Sequence, residues 1–498
     1  MIKINHILIC LLALTLFSSC KKWLDLQPES QISEDVLFTT EEGFKEALLG
    51  IYTRCTRTDI YGKELTIGTP EVLAQNYSIS ANDPQRYLKT KSYDYKDLNF
   101  ISRKDDIWKG LYNAIVNCNL ILGKIDEKKN LFMPGNYELI KGEALGLRAY
   151  LHFDALRLFA PSFASNPNAA AIPYVTQYSN KTTPLSTVTQ VLDSAIFDLE
   201  RAKQLLNKDL IRSAAYRVGY PTQTDTTLNT EEGARDLFLH NRRHRMNYYA
   251  VCGTLARVQL YKNNKPQALA NAQEVISANK FPWTKAEDFL AVDEDKKDLM
   301  LYKELVFSWF IPTLDATYNS SWFSGGVTGM HLTQEASQEF YETGTVGSND
   351  MRYKQWFTTV NNQTSYISEI HKYRRNSTST TSTANLAYMV APAIRLSEMY
   401  FIAAECSYAA NPAAATAFID EVRSHRGIGE KLTVANETAL RNELLKEYRK
   451  DLFGEGQLFY AFKRWNVAIS GQNGTSYPAS NNIFVLPLPD DEIIYGNR

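Results

Sequence analysis

An excess of charge of either sign is missing from this chain. In 498 residues, 54 lysines and arginines face 55 aspartates and glutamates, and the formal net charge is −1. A chain so balanced has no global electrostatic pull toward nucleic acid or an anionic bilayer, so no nucleic-acid partner is expected. Long apolar runs are missing too: past the N-terminal segment, none approaches the roughly 18–20 residues a spanning helix needs. Cysteine is sparse, at six. No two cysteines stand as Cys-x-x-Cys, which removes zinc ribbons and dithiol redox motifs. There is no His-Glu-x-x-His, no Gly-x-Ser-x-Gly elbow, no Walker loop and no Gly-x-Gly-x-x-Gly. His240 and His244 stand at i, i+4 in HNRRHR, but the arginines around them would repel a cation. Asp293 and Asp295 lack the glycine of a calcium loop. Gly454-Glu455-Gly456 is the nearest approach to a glycine-rich loop, and it reads as a helix break. No metal and no cofactor are expected. Glycosidase chemistry needs two converging carboxylates, and sequence gives that idea no positive support.

What is present is a foldable globular composition, 44% hydrophobic, with aromatics in surplus: 29 Tyr, 23 Phe and 7 Trp. Part of that surplus is expected on a surface. Residues 1–20, MIKINHILICLLALTLFSSC, place Lys3 before an apolar run from Ile7 to Phe17. The run is too short to span a bilayer but fits a secretory core. Ser18 and Ser19 then precede Cys20, a pattern that resembles a bacterial lipoprotein signal with a relaxed box, Phe17 standing where Leu is usual. Residues 1–19 are read as the signal peptide and Cys20 as the lipidated first mature residue. The alternative is an ordinary signal peptide that leaves Cys20 as a free thiol. Cys55, Cys118, Cys252 and Cys406 remain; three of them follow apolar residues at helical spacing, and they read as buried core residues rather than disulfide partners.

Amphipathic periodicity predicts helices over 41–55, 105–123, 137–160, 187–206, 245–262, 266–279, 394–410, 413–425, 437–453 and 456–466. Thr39 and Glu42 have capping-box spacing before the first of them. Short breakers such as Asn263-Asn264 and Asn411-Pro412 join neighbours into antiparallel pairs, the unit of a helical repeat. The fold class expected is mainly α: a degenerate tetratricopeptide-like scaffold with long loop-rich insertions. Segments 61–104, 160–186, 207–244, 280–393 and 467–498 are irregular, and loops of such length are usually functional or carry small structures of their own. Within them, 375–385 is a polar tip.

Several blocks then occur in a fixed order. Trp23-Leu-Asp-Leu-Gln-Pro28 and VLFTTEEGFKEALLGIY are followed by KGEALGLRAYLHFDALRLF and Ile172-Pro173. RLSEMYFIAAECSYAANP, IDEVRSHRG, KEYRKDLFGEGQLFYAFKRWN and IFVLPLPDDEI complete the order. Together these blocks resemble the SusD/RagB family of outer-membrane nutrient-uptake lipoproteins. Arg449-Lys450-Asp451-Leu452 replaces the usual Arg-Arg-Glu-Leu, and Lys21-Lys22 follow the lipidated cysteine where acidic residues often occur. The resemblance implies one SusD-like domain over 20–498, with an N-terminal part (20–225) and a C-terminal SusD/RagB part (240–498). It also implies a cell-surface protein, lipid-anchored in the outer membrane and without enzymatic activity. Its partners would be a SusC-like TonB-dependent transporter and a glycan. A peptide or glycopeptide receptor and a helical-repeat adaptor are the alternatives.

The charged residues of these blocks, among them Glu143, Arg148, Glu398, Glu405, Arg449, Glu455 and Arg464, lie within helical patterns and read as buried ion pairs that set register. A sugar site needs something else: exposed rings for the apolar faces of the sugar, with polar side chains beside them for its hydroxyls. Residues 75–108 and 302–323 hold that mixture. The ligand-binding candidates are Trp322, Tyr77, Tyr87, Tyr93, Asn76, Arg86 and Tyr318, with Trp322 first; Trp108 and Trp309 read as core.

Overall fold

The computed structural model describes residues 34–221, 225–292, 297–362, 365–374 and 389–496. The leader, Cys20 and the polar tip 375–385 lie outside the described residues. The protein is mainly helical. Its long helices are α1 (Glu41–Cys55), α2 (Leu98–Lys124), α3 (Asn136–Phe159), α4 (Val188–Leu205) and α5 (Tyr248–Tyr261). They continue with α6 (Lys265–Ser277), α7 (Leu396–Ser407), α8 (Pro412–Ser424), α9 (Glu437–Asp451) and α10 (Leu458–Trp465). No helix among the described residues is long and apolar enough to cross a membrane.

Local chemistry sets most of the helix starts. Thr187 and Gln190 form a reciprocal capping box at α4. Asp97, Asn247, Asn411 and Asn436 cap α2, α5, α8 and α9 by accepting backbone N–H groups of the first turn. At α1 the cap is Thr40, whose hydroxyl accepts from Gly43 N–H, and not Thr39, whose hydroxyl donates to Val36 C=O instead. Helix α2 begins seven residues earlier than its apolar periodicity indicated, at the Asp97 cap. That first turn carries Leu98 to solvent, 80% exposed, which hides the stripe.

Successive helices stack on one another. Helix α3 lies between α2 and α4, α6 packs on both α5 and α7, and α7 on α8. Helix α3 is buried on nearly every face, as expected of a helix apolar all round at the centre of a layered bundle. One continuous apolar core runs from Phe38 to Leu486. Among the described residues the insertions carry three small antiparallel sheets. Strand β1 (Leu305–Phe310) pairs with β5 (Val390–Arg395), placing Trp309 opposite Ala391. Strands β2 (Leu332–Thr333), β4 (Tyr366–Ile370) and β3 (Phe357–Asn361) form the second, in that order, and β6 (Ile469–Ser470) and β7 (Ser476–Tyr477) the third. Trp309 and Trp108 are core residues. Cys55, Cys118 and Cys252 are buried free thiols, whereas Cys406 is free and half-buried.

Buried arginine–carboxylate pairs tie the insertions to the helices. Glu143 of α3 takes Arg242 at 2.7 Å and Arg245 at 2.9 Å. Arg148 clamps Asp198, Arg257 meets Glu398, and Arg464 meets Glu405. Asp451, at the end of α9, joins Arg352 at 3.0 Å and Arg426 at 2.7 Å and accepts the Ser397 hydroxyl at 2.5 Å. These arginines hold its carboxyl far below the usual carboxylate range despite complete burial. Arg449 departs from the expected pairing. Its guanidinium donates to the carbonyls of Ala74 and Ser470 and forms no ion pair among the described residues, and burial lowers its pKa to about 10 against the more distant pull of Glu71 and Glu339.

Asp451→Asn keeps the shape but removes the charge that two buried guanidinium groups face. The expected cost is about 3 kcal/mol, read by chemical denaturation, because two buried guanidinium groups each lose one carboxylate while Asp350, Glu447 and Glu304 remain.

Candidate functional site

The two segments singled out for their aromatics do meet in space. The short helix Thr69–Leu73 is fully buried, and the chain leaves it through Gln75 in a left-handed conformation (φ 63°). Residues 75–78 are then pinned from several sides. Ser78 N–H donates to His331 C=O at 2.7 Å, Lys91 Nζ donates to Tyr77 C=O at 2.7 Å, and Asn76 Nδ2 donates to Glu71 at 2.6 Å. From the other segment, residues 318–322 form a wide π-type turn, closed by Phe323 N–H on Tyr318 C=O at 2.8 Å. That turn points the Trp322 indole inward.

Trp322 packs edge-to-face against Tyr87 (4.8 Å between ring centres, 90°) and Tyr77 (6.0 Å, 76°). Lys63 Nζ lies 5.7 Å from the centres of both the Trp322 and Tyr87 rings, and the Arg103 guanidinium lies 3.5 Å from the centre of the Tyr87 ring. The Tyr87 hydroxyl donates to Glu64. Tyr318 shares a 2.6 Å hydrogen bond with Thr66 and sets its ring against Tyr373. Burial pushes the phenols of Tyr77, Tyr87, Tyr93 and Tyr318 above their ordinary value, so all are neutral.

The residues singled out from sequence lie as follows. Trp322, Tyr77, Tyr318 and Asn76 are 0% exposed and Tyr87 is 1% exposed. A ring sealed on both faces offers no stacking platform, so in this structure these five act as a pedestal beneath the loops. Tyr93 is half-buried: its hydroxyl donates to Leu73 C=O and accepts from Gln75 Nε2. Arg86 is the exposed member, and it donates to Asn99 at 3.2 Å. Above the pedestal, Gln85 reaches across to Ser321, and Phe323 is the half-buried ring that brings the cluster to the surface. Asn76 Oδ1, the Tyr77 hydroxyl and Trp322 Nε1 make no well-formed hydrogen bond, although the tyrosine and tryptophan groups lie close enough to influence each other.

Sequence reasoning missed Glu71. It is fully buried, and its carboxylate accepts the N–H groups of Gly454 (3.0 Å) and Gly456 (2.7 Å) as well as the Asn76 amide. The signal was the Gly454-Glu455-Gly456 run. Both glycines have positive φ, +73° and +71°, so their amides converge on one anion, and a Cβ on Gly456 would stand 2.4 Å from Leu65 C=O. Desolvation is the largest influence on Glu71. It outweighs the donors and the nearby Lys372, and the pKa rises to about 7. His240 and His244 bind no common ligand. His240 Nε2 bonds Ala234 C=O, whereas His244 stacks on Phe310 and is pushed down to about 3 by burial. No group of three or more metal-ligating side chains occurs among the described residues.

Two outcomes test this arrangement. Glu71 binds its proton more tightly folded than unfolded. Its contribution is therefore complete below pH 4.5 and is lost as pH rises through about 7, on the order of 3 kcal/mol, in denaturation midpoints that Glu71→Ala should flatten over that window. Trp322→Ala empties the centre of the pedestal and should cost about 3–5 kcal/mol; an unchanged midpoint would mean the indole is not packed as described.

Comparison with known proteins follows the geometry. A family model described as "Starch-binding associating with outer membrane" matches residues 22–219, and the model of the SusD family matches residues 247–496. Two SusD-like proteins of Formosa agariphila are similar to the chain. One is 27% identical over 230 residues, covering 45% of this chain and 42% of the relative. The other is 23% identical over 199 residues, covering 39% and 37%. The matched stretches thus span less than half the length of either relative. A SusD superfamily protein from Bacteroides vulgatus superposes with a TM-score of 0.71 at 20% identity, over 92% of this chain and 98% of its own. A SusD-like carbohydrate binding protein from the same species gives 0.68 at 16%, over 92% and 97%. At these identities the structural likeness establishes the fold.

Proposed function

Because the chain belongs to the SusD/RagB family, we propose that it is a non-enzymatic surface lipoprotein that captures a glycan and delivers it to a SusC-like TonB-dependent transporter. Residues 1–19 are the removed signal peptide, Cys20 carries the lipid anchor in the outer membrane, and 20–498 is one SusD-like domain. The observation that carries this reading is the pair of family matches, which together run from residue 22 to residue 496, the first of them described by starch binding and outer-membrane association. The side-chain chemistry agrees. The buried carboxylates of Glu143, Asp198, Glu398, Glu405, Asp451 and Glu455 are each engaged by a guanidinium. They are therefore poor candidates for the paired acid and base of a glycosidase.

The seven residues chosen from sequence take part as follows. The pedestal of Trp322, Tyr77, Tyr87, Tyr318 and Asn76 fixes the loops from below, Tyr93 braces Leu73 and Gln75, and Arg86 presents its guanidinium at the surface. Ligand contact falls to Phe323, Gln85, Arg86 and Ser321 on the rim. Rigid support of this kind holds loop contacts in place at little entropic cost.

Calorimetry of the mature protein, with Cys20 replaced, against polysaccharides and peptide digests tests the receptor. A glycan is expected to bind without being cleaved, and Phe323→Ala should weaken it about tenfold by removing a half-buried ring that brings the cluster to the surface. Binding of peptides alone would replace the glycan by a peptide ligand. Turnover abolished by one carboxylate substitution would make the protein an enzyme, and silence toward every ligand would leave the adaptor role.

A further inference from the structure

Accessible rings paired with fixed polar groups occur elsewhere, on the helical scaffold itself. The loop 174–178 lies against α2, α3 and α4 and closes one end of a groove of about 910 Å3. Tyr178 on the loop and Phe197 on α4 stand on its lining, 58% and 62% exposed. Phe197 lies off the buried stripe of α4, which runs through Val191, Leu192, Ala195, Leu199 and Ala202. Nothing in the packing of the helix requires a ring there.

The floor beneath these rings is rigid and polar. Arg148 holds Asp198 through two nitrogens, at 2.8 and 2.7 Å, and Asn119 Oδ1 at 3.0 Å, and the Tyr174 hydroxyl adds a bond to Asp198 at 2.7 Å. His152 is neutral, pushed down to about 3 by burial. Its Nδ1–H donates to Arg148 C=O, and its Nε2 accepts Val175 N–H at 2.9 Å, so the loop is anchored to α3. Most of the charge on the lining is compensated inside the protein. Lys141 pairs with Asp126, Arg148 with Asp198 and Asp193 with Lys262, and Arg201 lies against the Phe197 ring at 5.4 Å. An anion held at Lys141 or Arg148 would have to displace the carboxylate already there. A neutral sugar would not: its apolar faces match the two rings and its hydroxyls match the exposed Thr176, Gln177 and Asp193 side chains on the same lining.

We infer that this groove between α2, α3, α4 and the 174–178 loop is a binding site for a neutral oligosaccharide, separate from the loop face around Phe323. The assignment rests on the receptor reading given above. A second cavity of about 830 Å3 shares Lys141 and Arg201 as walls and extends past Tyr137, giving a chain longer than a few sugar units a path along the helices.

Affinity gel electrophoresis of the mature protein in starch, xylan, mannan and mixed-linkage glucan tests it. Four proteins are compared: wild type, Tyr178→Ala/Phe197→Ala, the ring-keeping Tyr178→Phe/Phe197→Tyr, and Phe323→Ala. Both groove positions are exposed, so the fold should survive, which unchanged circular dichroism and melting verify. For at least one polysaccharide, the alanine pair should lose retardation by about tenfold in apparent Kd, while the ring-keeping pair retains it. Retardation equal to wild type for the alanine pair but reduced for Phe323→Ala would overturn the groove and leave the receptor standing. No retardation of wild type in any gel would overturn both. If the alanine pair lost only association with the transporter and not with glycan, the groove would be a protein contact and the inference would fall.

Discussion

Asp451 is the constraint on which the rest of the structure leans. It sits where α9 ends, and its carboxylate gathers Arg352 from the insertion, Arg426 from the end of α8 and the Ser397 hydroxyl from α7. Arg426 passes the charge on to Glu304 at the threshold of β1, and Arg352 to Asp350 and Glu447. Every member of this network is buried. Its net energetic contribution need not be large, since desolvation opposes each pair, but any other register of the insertion would strand a charge in the core. Specificity of arrangement, more than stability, is what such a network supplies, and the long insertion between α6 and α7 needs it. That stretch has only short strands and little helix of its own.

The aromatic pedestal is the second fastening, and it works differently. Rings from 77, 87, 318, 322, 323 and 373 meet mostly edge-to-face, with Arg103 and Lys63 against them. Apolar area and quadrupole geometry bind two loops that share no sheet. Where the Asp451 network fixes the insertion to the helices, the pedestal fixes one loop to the other. The Glu71 carboxylate joins both regions, because the amides it accepts belong to the turn between α9 and α10 and its amide neighbour Asn76 precedes Tyr77.

The helices were legible in the sequence almost to their ends, since the apolar stripe and the capping residue are both local signals. The buried ion pairs were legible as well, because charged residues inside apolar helical blocks have little alternative to pairing. Arg449 shows the limit of that logic: its guanidinium settles on two carbonyls, with Nε left unpartnered and the pKa lowered, and sequence does not distinguish that arrangement from an ion pair. The loop aromatics were harder. Tyr and Trp among Ser, Asn and Gly look alike whether they face a ligand or seal a contact between loops. The answer depends on a π-type turn at 318–322 that no local pattern announced. Phe197 carried the opposite signal. The sequence reading passed over it: a phenylalanine off the buried stripe of an amphipathic helix is a local pattern, but its meaning required the loop that comes to lie beside it.

A receptor that must hold a ligand and then release it to a partner gains from keeping its contacts on supports of different stiffness. The loop face rests on a pedestal whose Tyr77, Trp322 and Asn76 polar atoms lack full hydrogen bonding, so part of its cohesion is apolar packing alone. The groove rests on α3, a helix buried on nearly every face, and its floor is a closed set of charged hydrogen bonds among Arg148, Asp198, Asn119 and Tyr174. Rearrangement of the first costs packing between two loops. Rearrangement of the second would break a buried guanidinium–carboxylate pair and leave a charge in the core without its partner. If both surfaces hold sugar, the helical groove is the one built to stay fixed and the loop face the one built to yield. A chain captured along the scaffold would then stay attached while its end is let go.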